Sequence, residues 1–284
     1  MSKYKYREDY FKTITPRAAY ILGWLWSDGF VIDKDGVYQA GISLKDTLDN
    51  RKVLRFIANE LIIGGRELLV RKPTNGYHSD TTMVNLSIYN KIIVKDLERL
   101  GCIPRKSLIL KPPKVLFTKE EFTRFLQGVV EGDGSFFYRR EYAGTVGLTL
   151  SVTGTREMCS WLKENIKDFY GINGGCASKI TSKNTYILTY VCHQARRVRN
   201  FIYNGAFCCL ESKKTIAYQK MCYKDYGLLT LREVARVLNK SISTIRYRVK
   251  VRLVSYVQFG NHKYYKPTEI VKLGDYLKNS ELNK

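Results

Sequence analysis

Apolar positions run almost unbroken through two segments of the chain, "AYILGWLWSDGF" at 19–30 and "FLQGVVEGDGSFF" at 125–137, and both runs close on Asp-Gly. Continuous apolar stretches of this length predict helices buried on most of their surface. Small residues recur at every fourth position, Ala19, Gly23 and Ser27 in the first and Gly128 and Gly132 in the second. Each helix therefore carries a face nearly bare of side chains, and two such faces can approach more closely than the usual ~8–10 Å between axes. The other faces carry Ile21, Leu22, Trp24, Leu25 and Phe125, Leu126, Val129, Val130, which suit packing onto sheets. Start signals agree: Thr15 before Pro16 reads as an N-cap and first helical position, and Thr118-x-x-Glu121 as a capping box.

After each Asp-Gly the period changes to two. "VIDKDGVYQAGISLK" reads as a hairpin turning at Asp35-Gly36, and "FFYRREYAGTVGLTLSV" as one turning near Gly144. Amphipathic helices follow, "DNRKVLRFIANEL" and "TREMCSWLKENIKDFY", then Gly64-Gly65 and Gly174-Gly175. Alternating strands come next, "ELLVRKP" with "TTMVNLSIY" and "CASKITS" with "TYILTYVC". Each series ends in a helix and a lysine, "DLERLGCIPRKSL" and "VRNFIYNGAFCCLESKKTI". This is an internal repeat with an offset of 105 residues (Asp28 to Asp133), split at Pro112-Pro113. The domains expected are 10–113, 114–222 and a tail over 226–284.

The repeat changes what the two acids mean. If the small faces meet about a pseudo-two-fold axis, Asp28 and Asp133 emerge together at the negative ends of their helices and repel. Divalent metal offsets that repulsion, and Mg²⁺ favours one or two carboxylates with substrate phosphate oxygens. Such a pair suits phosphodiester hydrolysis. Asp28 and Asp133 are then the catalytic acids and metal ligands, with Gly29 and Gly134 beside them in the metal set. Lys106 and Lys213 are the candidate stabilisers of transition-state charge, with Lys214 an alternative register. Mn²⁺ is expected to substitute for Mg²⁺, and Ca²⁺ to bind without supporting cleavage.

Composition narrows the partner. The chain has 284 residues, 48 Lys+Arg against 26 Asp+Glu, and a net charge of +22. That excess calls for a polyanion, most simply nucleic acid. No apolar run reaches the ~18–20 residues of a membrane span. Seven scattered cysteines without a C-x-x-C pair argue against a structural zinc site and for a reducing compartment. The polar start "MSKYKYREDYFK" fits an intracellular protein, in a bacterial or phage-infected cytoplasm or an organelle, rather than a secreted one. His78, His193 and His262 are dispersed and suggest no histidine-metal site.

The tail has its own pattern. "LLTLREVARVLNKSISTIRYRVKV" reads as a helix capped by Thr230, a turn at Asn239–Ser241, and a second helix from Ser243. "YVQFGNHKYYKPTEI" reads as a two-stranded wing with Gly260-Asn261 at its tip. The segment resembles excisionase and MerR-like winged helix-turn-helix modules. Ser243, Arg246, Arg248 and Lys263 are its candidate DNA contacts.

"ILGWLWSDG" (Ile21–Gly29) and "LQGVVEGDG" (Leu126–Gly134) make residues 10–222 resemble the single-chain, two-motif LAGLIDADG homing endonucleases. The resemblance implies an α+β fold of two pseudo-symmetric αββαββα halves, with saddle-shaped antiparallel sheets astride a DNA major groove. It implies that the eighth motif letters, Asp28 and Asp133, hold metal, and that Lys106 and Lys213 are the core lysines. Trp26 replaces an acid at the sixth letter of the first motif. Lys45 fills a polar position at the end of the first hairpin where the second half offers Thr153. Candidate sheet contacts are Lys34, Gln39, Lys45, Arg71, Lys72, Arg139, Arg140, Lys179 and Lys183. The function expected is site-specific cleavage of double-stranded DNA by a monomer. The rivals are a non-cleaving DNA-binding regulator of the WhiA type and a maturase that binds intron RNA.

Overall fold

The computed structural model describes residues 4–65, 67–72, 81–104, 109–140, 146–180, 185–218, 229–250, 254, 256–259 and 262–282. A short strand β1 (Lys5–Tyr6) leads to α1 (Pro16–Ser27), β2 (Gly29–Lys34), β3 (Val37–Lys45) and α2 (Leu48–Leu61). Then come β4 (Ile62–Ile63), which pairs with β1, β5 (Leu69–Arg71), β6 (Met83–Ile88) and α3 (Lys91–Leu100). The second series is α4 (Lys119–Asp133), β7 (Gly134–Arg140), β8 (Val146–Gly154), α5 (Arg156–Tyr170), β9 (Cys176–Lys179), β10 (Tyr186–Val191), α6 (Cys192–Tyr203) and α7 (Glu211–Tyr218).

The two sheets have the same topology, β2-β3-β6-β5 and β7-β8-β10-β9. The αββαββα repeat is therefore present twice. Local chemistry starts and stops its elements as the residues dictate. Thr15 accepts a hydrogen bond from the Ala18 amide, and Thr118 and Glu121 form a reciprocal capping box. The β2–β3 turn has positive φ at both Asp35 (50°) and Gly36 (77°), which matches the right-handed twist of a hairpin.

Alternation assigns the faces. In the first sheet Val31, Ala40, Ile42, Leu44, Val84, Leu86 and Ile88 are buried toward the helices. In the second, Leu148, Leu150, Val152, Leu188 and Tyr190 do the same. One apolar cluster runs through both halves, with Trp24, Trp26, Tyr20, Phe122 and Phe125 among its largest fully buried side chains.

The chain divides into two compact units, Met1–Arg139 with Gly147–Gln219, and Arg140–Val146 with Lys220–Lys284. In the second unit β11 (Leu229–Thr230), α8 (Leu231–Val237), α9 (Ile242–Lys250), β12 (Val257–Phe259), β13 (His262–Tyr265) and α10 (Pro267–Leu282) follow in order. Thr230 caps α8 with Glu233 in a second capping box, and Asn239 turns the chain at φ 48°. Ser241 Oγ accepts from the Thr244 amide, so α9 begins at Ile242, one residue before the expected start. The strands form one sheet, β11-β13-β12, around a small core of Val234, Ala235, Ile245, Val254, Tyr265, Ile270 and Leu273. The sequence pattern did not bring out α10. The expected turns at Gly144 and Gly260-Asn261 lie outside the described residues.

Candidate active site

The site is built by backbone contact between α1 and α4. A β-carbon at Gly23 would run into the Phe125 carbonyl oxygen, and one at Gly128 into that of Tyr20. Each would also lie 3.0 Å from the other glycine's Cα. These contacts are equivalent under the 105-residue offset, so the helices cross about a pseudo-two-fold axis at Gly23–Gly128. Further along, Gly132 faces Ser27, and a β-carbon there would lie 3.3 Å from Asp28 Oδ2. The small faces thus bring the Asp28 carboxylate to the last turn of α4, which ends in Asp133. Both acids are exposed.

The glycines after the acids work differently from ordinary helix-stopping glycines. Neither Gly29 nor Gly134 has positive φ. Instead the strands start folded back against the last helical turns. A β-carbon at Gly29 would meet Leu25 Cα at 2.5 Å, and one at Gly134 would meet Val130 Cα at 2.7 Å. Close approach, rather than a left-handed backbone, requires glycine here.

The pseudo-symmetry breaks at the sixth motif letter. Trp26 packs edge-on to Phe125 and donates from Nε1 to the Lys111 carbonyl (3.1 Å). At the equivalent place Tyr20 donates from its hydroxyl to Glu131 Oε2 (2.7 Å). Glu131 also accepts from Gln127 Nε2 (3.1 Å), which donates to the Cys208 carbonyl as well (2.6 Å). Arg124 extends the polar line to Gln127 Oε1 and to the carbonyls of Ile202 and Asn204. Burial pushes the Glu131 carboxyl up to about 7, against the hydrogen bonds from Tyr20 and Gln127. Sequence reasoning missed this line. Its signal was there: three polar residues at i, i+3 and i+7, Arg124, Gln127 and Glu131, interrupt the otherwise apolar or small run from Phe125 to Gly132 and its approach.

Lys213 reaches the same place from α7. Its Nζ donates toward the carbonyls of Glu131 (2.5 Å), Gly134 (2.7 Å), Gly132 (2.8 Å) and Val130 (3.3 Å). It thereby serves the orphan carbonyls at the end of α4. Burial lowers its affinity for a proton, while Asp28, Glu131 and Asp133 oppose that shift. Lys214 points elsewhere, to Glu211 (3.9 Å) and Cys209 Sγ (3.7 Å). Of the two registers, Lys213 is the one beside the acids. Lys106 lies outside the described residues.

The donors near the acids are hard oxygens. Among the described residues no group of three or more His, Cys, Asp or Glu comes together as a metal cluster. Two carboxylates fit a Mg²⁺-type ion that completes its shell with water and phosphate oxygens, and do not fit a structural zinc site. The Gly134 carbonyl, one of the expected ligands, already accepts from Lys213.

Strand register sorts the candidate DNA contacts. Lys34 opposes Val37, Ile32 opposes Gln39, and Arg71, Met83 and Lys45 lie in one row across three strands. Lys34, Gln39, Lys45 and Arg71 therefore share the face turned away from the helices, and exposed Lys72 follows the end of β5. Thr153, the counterpart weighed against Lys45, is exposed near the end of β8 and opposes Ile187. In the second sheet Arg139 is exposed and shares the outer face with Phe137, and Arg140 is the last residue of β7. Lys179 opposes Tyr186, on the side of Leu188 and Tyr190. Lys183 lies outside the described residues, as does His78. In the second unit Ser243 and Arg246 are exposed on α9, Arg248 stands on the same helix, and Lys263 Nζ sits 4.1 Å from the Tyr256 ring centroid.

Among the described residues, no helix is long and apolar enough to cross a membrane. No protein-family model and no curated protein sequence matches the chain. Solved structures do. The LAGLIDADG meganuclease I-AabMI, determined bound to uncleaved DNA, is 14% identical over 82% of this chain and 98% of its own, with a TM-score of 0.50. The homing endonuclease I-WcaI, bound to its DNA recognition sequence, is 13% identical over 73% and 91%, with a TM-score of 0.49. Full-length DUF199/WhiA from Thermatoga maritima is 15% identical over 95% and 96%, with a TM-score of 0.44. Paired αββαββα halves, glycine-on-glycine helices and two carboxylates at their ends together make this the LAGLIDADG meganuclease fold.

Proposed function

We propose that the protein is a monomeric endonuclease that hydrolyses both strands of a specific duplex DNA site with Mg²⁺. One observation supports the reading above the others: α1 and α4 meet glycine on glycine, so Asp28 and Asp133 share one end of the helix pair. A net charge of +22 and Lys34, Gln39, Lys45 and Arg71 on one sheet face suit a polyanionic duplex whose major groove admits an antiparallel ribbon. Asp28 and Asp133 would hold the metal. When bound, such an ion activates water and offsets charge on the phosphate. Lys213 sets its amine against the carbonyls at the end of α4, beside both acids, where negative charge would develop. The tail helices α8 and α9 would tether the nuclease to a longer site.

The test is cleavage of a randomised duplex library, and of DNA flanking the protein's own gene, with Mg²⁺ or Ca²⁺. Wild type is expected to cut one long site in Mg²⁺ and only to bind it in Ca²⁺. Asp28→Asn and Asp133→Asn are each expected to reduce double-strand cutting by at least ~10²-fold, leaving nicks or no product. Selective duplex binding without cutting in Mg²⁺ would replace this reading with a DNA-binding regulator. Tight binding of intron RNA without cutting would replace it with a maturase.

A further inference from the structure

The helix that carries Lys213 is held by the other half of the molecule. α7 starts at Glu211, and its first two amides donate to a single carboxylate on α2: Glu211 N to Asp49 Oδ1 (3.0 Å) and Ser212 N to Asp49 Oδ2 (2.8 Å). Lys52, one turn further along α2, lies 3.7 Å from Glu211. An eight-residue helix is marginal by itself, and its leading N–H groups need acceptors. A carboxylate there also meets the positive end of the helix dipole. Lys213 is the next residue, and its amine reaches four carbonyls around the end of α4. Fixing the first turn of α7 therefore fixes where that amine stands.

We infer that Asp49 is a positioning residue: from the first half, it holds the second half's Lys213 in place beside Asp28 and Asp133. The inference rests on the nuclease reading. It makes the two halves interdependent, because the lysine beside the acids is set by a helix belonging to the opposite repeat.

The test is single-turnover cleavage of the cognate duplex by Asp49→Ala, Lys213→Met and the double variant, with DNA affinity measured in Ca²⁺. Asp49→Ala is expected to cut about 10-fold more slowly with affinity within about twofold of wild type, since a misplacement of the order of 1 Å is enough for such losses. In the Lys213→Met background the same substitution is expected to add nothing, because its effect runs through that lysine. Asp49→Asn, which keeps one acceptor, is expected to recover part of the rate. Leu48→Ala, on an 89% exposed neighbour, is expected to match wild type. A wild-type rate in Asp49→Ala, or full additivity with Lys213→Met, overturns the role of Asp49 while the nuclease reading stands. A wild type that cuts no duplex overturns both. If Asp49→Ala does not fold, Asp49→Asn carries the same cycle with Lys213→Met.

Discussion

Single residues decide whether the two acids can meet. Gly23 and Gly128 touch backbone to backbone, and any side chain at either would push the helices apart. At Gly29 and Gly134 a conventional reading of Asp-Gly as a helix stop would place the glycines correctly and miss their job, which is room against Leu25 and Val130. Glu131 is the other decisive residue. Burial raises its pKa from the ordinary carboxylate range to about 7. The folded protein therefore binds a proton that the unfolded chain has released between about pH 4.5 and 7. Stability linked to this group is full below that window and falls as pH rises through it. Glu131→Gln keeps an acceptor for Tyr20 and removes the ionisation. It is expected to be more stable than wild type at pH 8, with the difference shrinking at pH 5, in denaturant unfolding at the two pH values. An equal difference at both would show that Glu131 does not titrate in this window.

At the scale of elements, register places similar cations on opposite faces of the sheets. Arg71 and Lys45 flank Met83 on the outer face of the first sheet. Lys179, a similar residue in the corresponding strand, opposes Tyr186 on the other side. Arg71→Ala is expected to weaken duplex binding and to lower the slope of log affinity against log salt by about 1. Lys179→Ala is expected to change that slope much less. Fluorescence anisotropy across a salt series distinguishes the two, and equal losses would mean that register does not select the contacts. The strands themselves were legible from alternation, as were their turns at Asp35-Gly36. The side on which Lys179 falls was not, because a one-residue shift in pairing flips a strand's faces and the sequence does not state its partner.

For the whole molecule, charge and modularity matter together. A chain of +22 is expected to bind duplex DNA steeply as salt falls. If the tail also contacts DNA, as proposed, the two elements on one chain add effective concentration. In the intact chain, Arg246→Ala on α9 is expected to weaken binding by about 10-fold and to leave the position of the cut unchanged. A shifted cut would assign α9 to the choice of cleavage position, and unchanged affinity would remove it from the interface.

Much of this protein was written in local pattern. Small residues at four-residue spacing, Asp-Gly endings and caps at Thr15 and Thr118 are properties of neighbouring residues, and their recurrence at a 105-residue offset is legible too, so sequence alone determined the order of elements in the two αββαββα halves and marked the two acids. Long-range contact decided the rest. Nothing near Asp49 announces that it caps a helix 162 residues away, and nothing near Glu131 announces Tyr20 as its partner. Nor does "ESKK" reveal which lysine turns to the acids until α7 is docked. Those outcomes depend on which surfaces meet after folding, and burial, pairing and altered proton affinity exist only once they have met.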